Sequence, residues 1–365
     1  NGRLVETGNI ESKREASRES VYNFENRKRD HIQHSLNESN QSTGLAGLEK
    51  VSLIHEALPE LDFSEVKVDS YSQPLRMVTR TPFLVSSMTA GHAEGLDLNQ
   101  ILAEACFERG WIMGVGSQRR QLMDRKMDHE WKLIRRTAPQ LVLLGNLGLS
   151  QVIHTSTSEI QRLVDSLEAV AMIVHTNPLQ ECLQPEGTPM FKGGIEALSR
   201  ICKELSVPVI LKETGCGFSE STLRRLIEVG VAAVDISGLG GTHWGRIEGC
   251  RSDSASLQHE AAQTFWNWGV STVESLRLAT QLKPDYEVWA SGGVRSGLDS
   301  AKLIAMGARI VGIAQPILKA ALDGKGELLR VMEKFEFELK TAMFCTGCKN
   351  IEELQNKGIW QWVQR

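Results

Sequence analysis

The feature that most restricts the fold of this chain is a repeated one. Eight short apolar runs, each ending in small or polar residues, recur between residues 82 and 316. They read PFLVSSMT (82–89), WIMGVGSQR (111–119), LVLLGNLG (141–148), AVAMIVHTN (169–177), PVILKETG (208–215), VAAVDISGLGG (231–241), YEVWASGGVR (286–295) and ARIVGIAQP (308–316). Between them lie stretches with apolar residues at helical spacing, such as LNQILAEACFERG (98–110) and SLRLATQLK (275–283). Near-continuous apolar strands alternating with helices predict a parallel sheet covered by helices. Eight such units match the α/β class in its (β/α)8 form, the TIM barrel, which takes about 250 residues. A doubly wound open sheet is the alternative, but it carries a GxGxxG loop after its first strand. The first run here continues into SSMTAGH (86–92) instead.

Composition narrows the partners. The 365 residues include 41 Lys and Arg against 45 Asp and Glu, a formal net charge of −4. No basic excess points to nucleic acid or an anionic membrane, so an anionic ligand must be held by a few local cations. No apolar run approaches the roughly 18 residues of a membrane helix, and the first 30 residues lack an apolar signal core. Seven scattered cysteines fit a reducing cytoplasm. The CTGC of Cys345 and Cys348 lacks a second pair and reads as ordinary residues near a C-terminal helix. Residues 1–26 are polar and expected to form a flexible N-terminal extension, leaving 27–365 as a single domain. Its first part, NRKRDHIQHSLN (26–37), reads as a helix start or ordered arm. VKV and LRMV within 50–80 read as short strands.

In a barrel, function gathers at the C-terminal ends of the strands. Here those ends hold nearly all the polar residues adjoining the runs. GLGGT (238–242), SGGVRSG (291–297) and GIAQP (312–316) are glycine-rich loops on that side, suited to a phosphorylated cofactor. Lys212 closes the fifth run, and its neighbour Glu213 points to the opposite face. Pairing between them is not expected, and an electron-rich ring or an anion is the expected target of Lys212. Thr89, Ser117 and Asn146 are small hydrogen-bonding residues that suit the edge of a heteroaromatic ring. In HTNPLQECLQPEG (175–187), Glu181 sits among His175, Asn177 and Gln180. One carboxylate can hold Mg2+ when substrate phosphates and waters complete its shell. Arg27, Lys28 and Arg119, with His31 nearby, could clamp a diphosphate.

Together RKRDHI (27–32), SSMTAG (86–91), GVGSQR (114–119), NLG (146–148), HTNPLQECLQPEG, KETGCG (212–217), GGTHW (240–244), ASGGVRSGLD (290–299) and AQP (314–316) resemble the type 2, flavin-dependent isopentenyl diphosphate isomerases. The resemblance spans residues 26 to about 350, and HxNxxQExxQPEG is its specific part. It implies FMN lined by Ser87, Met88, Thr89, Ser117, Asn146, Lys212, Thr242, Gly293, Val294, Arg295, Ala314 and Gln315. It implies that Arg27, Lys28, His31, Ser117, Gln118, Arg119 and Gln180 bind substrate and that Glu181 carries Mg2+. His175 and Asn177 would support the substrate side, with Gln180 near the reacting carbons. The implied reaction interconverts isopentenyl and dimethylallyl diphosphate, with reduced FMN as acid and base. NAD(P)H as reductant, a cytoplasmic location and a homo-oligomer (a tetramer or octamer) are further expectations. Two positions depart from the family: Ala90-Gly91 where a second glycine is usual, and Thr188 where an acid is usual.

Two rival readings stand beside it. An FMN-dependent 2-hydroxy acid oxidoreductase needs a base histidine and a carboxylate-binding arginine after strand six or seven, for which His243 and Arg246 are candidates. A non-catalytic flavin or phosphate sensor would leave the substrate-side polar groups without a task.

Overall fold

A computed structural model describes residues 26–88 and 93–363. The expectations for Thr89 and for the extension of residues 1–26 lie outside the described residues, except at Asn26, which starts a helix. All eight apolar runs form strands: β1 (Phe83–Val85), β2 (Ile112–Gly114), β3 (Leu143–Gly148), β4 (Ala171–Thr176), β5 (Val209–Glu213), β6 (Ala233–Asp235), β7 (Glu287–Trp289) and β8 (Val311–Ile313). They pair in parallel in the order β7-β6-β5-β4-β3-β2-β1-β8. The remaining seam closes through a parallel bridge between Ala290 and Val311, backed by the amides of Ala290 and Gly312. The eight strands therefore form a ring, the architecture that the alternating pattern predicts.

The runs become strands because both faces of each are buried. All five residues of β5 and all six of β3 are buried. One apolar cluster, with Leu84, Ile112, Leu144, Ile173, Ile210, Ala233 and Trp289, fills the inside of the ring. A larger one, with Val85, Leu211 and Val234, packs the strands' outer faces against the helices. Most surrounding helices start at a residue whose side chain accepts a backbone N–H, as Ser156, Ser219, Ser271 and Ser296 do.

Residues 26–35 form a helix, as the arm was expected to do. The chain then runs as a strap over the barrel mouth and pairs antiparallel with the loop after β6 at Gln41 and Thr242. Strands Ser70–Ser72 and Met77–Thr79 make a hairpin, which accounts for LRMV. VKV (66–68) is not a strand: the Lys67 amide instead bonds Lys349 O at 2.9 Å, a tertiary contact with no local signature. The C-terminal Trp360–Trp362 pairs with Val51–Leu53. Cys348 ends buried beyond the helix Lys325–Cys345, its thiol directed at Thr346 O.

Trp111 joins that long helix to the barrel. It stacks on Phe83 at 4.5 Å, meets Phe335 edge-on, and donates from Nε1 to Glu336 Oε1 at 2.8 Å. Trp111→Ala empties this contact and takes one donor from Glu336, which keeps Arg109, with an expected cost of about 3–5 kcal/mol. A lowered denaturant midpoint with an unchanged slope checks it.

Candidate active site

The C-terminal ends of the strands open into one cleft made of two adjoining cavities. The first, about 910 Å³, is bounded by the glycine loops after β6, β7 and β8, and includes Thr242, Gly293, Arg295, Ala314 and Gln315. The second, about 850 Å³, is bounded by the arm and the ends of β2, β3 and β4, and includes Arg27, Ser117, Arg119, Asn146, His175 and Glu181. Lys28, His31, Ser87, Met88, Lys212, Thr214 and Trp244 touch both.

The first cavity is built for a ligand with a phosphate. The helix Gln315–Leu322 starts at Ala314 without a side-chain cap, so its N-terminus faces the cavity with positive dipole. Gly293 adopts φ +80°, and a Cβ there would lie 2.4 Å from Gly240 O. Only glycine lets these two loops meet. The buried hydroxyls of Ser86 and Ser87 find no hydrogen-bond partner among the described residues. Two polar atoms left so at a cavity wall fit the heteroatoms of a bound ring.

Lys212 departs from its expected arrangement. Its ammonium donates to Asp235 Oδ2 at 2.6 Å and to Ser291 Oγ at 2.9 Å, and Ser291 Oγ in turn donates to Asp235 Oδ1 at 2.7 Å. The partner missed in the sequence is the in-register residue of the adjacent strand. Glu213, on the other face, accepts the amides of Cys216 and Gly217, and burial pushes its carboxyl up to about 8.

In the second cavity His175 Nδ1 lies 2.9 Å from Asn146 Oδ1. An amide oxygen only accepts, so Nδ1 carries the proton and Nε2 keeps its lone pair. Burial, with the charges of Lys28 and Lys212, brings His175 down to about 4, so it is neutral at pH 7. Burial, with Arg27 and Arg119, brings Lys28 down to about 7. Glu181 Oε2 accepts the Thr188 amide at 2.6 Å, and burial holds its pKa above the ordinary value. Since the contact uses backbone, threonine serves there as well as the usual acid.

Four expected residues take other tasks. Gln118 is buried: it donates to Gln121 and Leu163 O and accepts the Asn146 amide, so it braces β3 from outside the cavities. Asn177 caps the helix Pro178–Leu183 through the Gln180 amide and donates to Thr214, which spends both ends of its side chain. His243 and Arg246, the candidate pair of the oxidoreductase reading, are consumed structurally. His243 Nε2 meets Trp268 O, while Arg246 donates to Ser39 O, Gln41 O, Trp266 O and Asn267.

Glu248 is the largest omission from the sequence reading. It is fully buried and accepts from His31 at 2.8 Å, Gln180 at 3.0 Å and Arg251 at 2.5 Å. Burial alone would raise its pKa, but His31, Arg251 and Gln180 outweigh that and lower it. Trp244, which meets His31 edge-on at 5.1 Å, lies one helical turn before it. That i,i+4 spacing in HWGRIEG was the available signal.

Comparisons with known proteins agree with this geometry. Residues 190–361 match the family of FMN-dependent dehydrogenases. Among solved structures, the chain resembles a Pediococcus acidilactici lactate oxidase with a TM-score of 0.64 at 16% identity, covering 90% of this chain and 87% of that one. A mandelate oxidase variant with (S)-mandelic acid gives a TM-score of 0.61 at 18% identity, covering 94% of this chain and 99% of that one. At such identities the likeness concerns the fold alone. Fold, cleft and family match define an FMN-dependent (β/α)8 barrel. Proteins named isopentenyl-diphosphate delta-isomerase align far more closely. The one from Legionella pneumophila (strain Corby) is 54% identical over 92% of this chain and 97% of its own length. That from Bdellovibrio bacteriovorus is 49% identical over 94% and 99%, and that from Archaeoglobus fulgidus 40% over 92% and 95%. The chain belongs to the isopentenyl-diphosphate delta-isomerase family, in its flavin-dependent type 2 form.

Two predictions follow from the buried charges. Asp235→Ala leaves the Lys212 charge unpaired and is expected to destabilise by about 3–5 kcal/mol, much of it regained in Asp235→Ala/Lys212→Met. Denaturant unfolding of both variants measures this. Lys28 is largely deprotonated above pH 7 without ligand, and an adjacent diphosphate restores its proton. Pyrophosphate binding at about pH 8 is therefore expected to take up more protons in the native protein than in Lys28→Met. Calorimetry in buffers of different ionisation enthalpy reads the difference.

Proposed function

We propose that the protein, with residues 27–365 acting as one unit, interconverts isopentenyl and dimethylallyl diphosphate with FMN in the first cavity and the substrate in the second. The observation that carries this reading is the convergence of Arg27, Lys28, Arg119 and Glu181 on one cavity that shares a wall with the glycine-lined one. A purely flavin-binding or phosphate-sensing protein has no use for that second set.

Reduced FMN, when bound, supplies a proton donor and acceptor and an electron-rich face for the alkene. The chain's own residues do the rest. Arg27, Lys28 and Arg119 hold the diphosphate and discourage its departure as a leaving group. Glu181 is the carboxylate on that cavity's wall. Among the described residues no group of three or more His, Cys, Asp or Glu gathers to hold a metal. A single carboxylate suits Mg2+, which keeps waters and takes substrate phosphate oxygens. A cation beside Glu181 would also offset the burial that raises its pKa.

Gln180 positions the reacting carbons, since an amide does not titrate usefully. His175 stays neutral and offers Nε2 as an acceptor. Met88 and Trp244 line both cavities and give the alkene an apolar wall. Lys212, fixed by Asp235, directs positive charge at the flavin. Ser117 and Asn146 line the second cavity where it adjoins the first, and they keep their proposed place at the flavin edge, Ser117 also meeting the substrate. NAD(P)H as reductant, a cytoplasmic site of action and a homo-oligomeric state complete the proposal. No described helix is long and apolar enough to cross a membrane.

An anaerobic NMR assay with FMN, Mg2+ and isopentenyl diphosphate, with and without a reductant, tests the reading. Dimethylallyl diphosphate is expected only with reduced flavin, and no conversion by a fully reduced holoenzyme would overturn it. Glu181→Gln is expected to lower kcat/KM about a hundredfold, about 3 kcal/mol of transition-state stabilisation, with flavin content unchanged. Flavin absorbance and Mg2+ titration separate the two effects, and wild-type turnover in the variant would remove the metal role.

A further inference from the structure

The strap between the arm and the barrel ends in a glutamine that no motif singled out. Gln41 is buried, and each end of its amide is engaged. Its Oε1 accepts from Arg295 Nη2 at 2.6 Å, and its Nε2 donates to Ser35 O at 2.7 Å and to Thr242 Oγ1 at 3.1 Å. The amide cannot be turned round. A guanidinium only donates and a carbonyl only accepts, so the oxygen must face Arg295 and the nitrogen must face Ser35.

These contacts join two places that the sequence keeps far apart. Arg295 lines the first cavity with Gly293 and Gln315, and its other amino group reaches Gln315 Oε1 at 3.2 Å. Ser35 is the last residue of the helix that carries Arg27, Lys28 and His31. The strap itself is held rigidly. Ser42 exchanges hydrogen bonds with Gly240 and Gly241, and Arg246 grips the carbonyls of Ser39 and Gln41. Burial lowers the pKa of Arg295, with Glu38 and Asp299 opposing, so the guanidinium gains from an anion placed beside it.

We infer that Gln41 is a positioning residue that sets Arg295 for the phosphate of FMN and, through Ser35, makes cofactor binding order the helix of residues 26–35 before substrate arrives. The inference rests on the reading that the first cavity takes FMN. Drawing Arg295 toward a phosphate pulls on Oε1 of a side chain whose other end is tied to the arm. Filling the first cavity thus reduces the motion of the cations that border the second. Lys28 and His31 of the same helix also border the first cavity, so the Gln41 link acts beside direct contact with the ligand.

The test uses the full-length protein, stripped of flavin and titrated back with FMN. Hydrogen exchange of residues 26–35 is followed by mass spectrometry, and affinity by quenching of FMN fluorescence. In the native protein, FMN is expected to slow exchange in 26–35. Gln41→Met keeps the side-chain length and removes the hydrogen bonds to Arg295, Ser35 and Thr242. It is expected to bind FMN about tenfold more weakly, since a hydrogen bond to a charged group is lost. At saturating FMN the slowing of exchange in its arm should be clearly smaller than in the native protein. If FMN leaves exchange in 26–35 of the native protein unchanged, or if Gln41→Met matches the native protein in both readouts, the inference is wrong. The native-protein arm of the test stands even if the variant folds poorly. Failure of the native protein to bind FMN at all would instead overturn the proposed function, and this inference with it.

Discussion

Closure of the parallel ring is the constraint on which the site depends. Once Ala290 and Val311 complete the last seam, every strand points the same way. All eight C-terminal ends then surround one opening. Residues as distant in sequence as Ser87, His175, Lys212 and Arg295 reach a common cleft without long loops. In an open sheet the same strand ends would lie along a line, and only those near a topological switch point would meet.

Inside that opening, the electrostatic problem is to keep cations buried without a resident anion. The protein solves it differently in its two cavities. Lys212 receives a permanent carboxylate from the neighbouring strand, and Arg295 receives two amide oxygens. Lys28 is lowered to about 7 by burial first and then by the charges of Arg27 and Arg119 beside it. The second cavity is therefore the one whose charges gain most from a highly anionic ligand. A diphosphate with Mg2+ has the matching charge, and the neutral His175 between Lys28 and Lys212 adds no further repulsion.

Glu248 and Gln41 show how the cleft is held together from behind. Neither offers an obvious chemical group to a substrate. Glu248 fastens the arm and the Pro178–Leu183 helix to one buried carboxylate. Gln41 fastens the arm's C-terminal end to the phosphate loops. The arm is thus pinned at its middle and at that end, which explains how a polar helix outside the barrel can form part of its cleft.

The barrel was legible in the chain because strand burial on two faces leaves an unbroken apolar run, and because small or polar residues mark one end of each run. The candidate site was legible where residue type itself carries the chemistry: the glycine loops, the Arg and Lys of the arm, and Glu181 with Gln180. Local sequence determined these because strand, helix and turn preferences act over a few residues. Tertiary structure alone decided what lies across the gaps. It paired Lys212 with Asp235, turned Asn177 and Gln118 away from the cleft to cap and brace, and locked His243 and Arg246 onto backbone carbonyls. It also recruited Gln41 and Glu248. The physical reason is common to all of them. A buried polar group must find a partner, and which partner lies within 3 Å is set by the packing of distant segments.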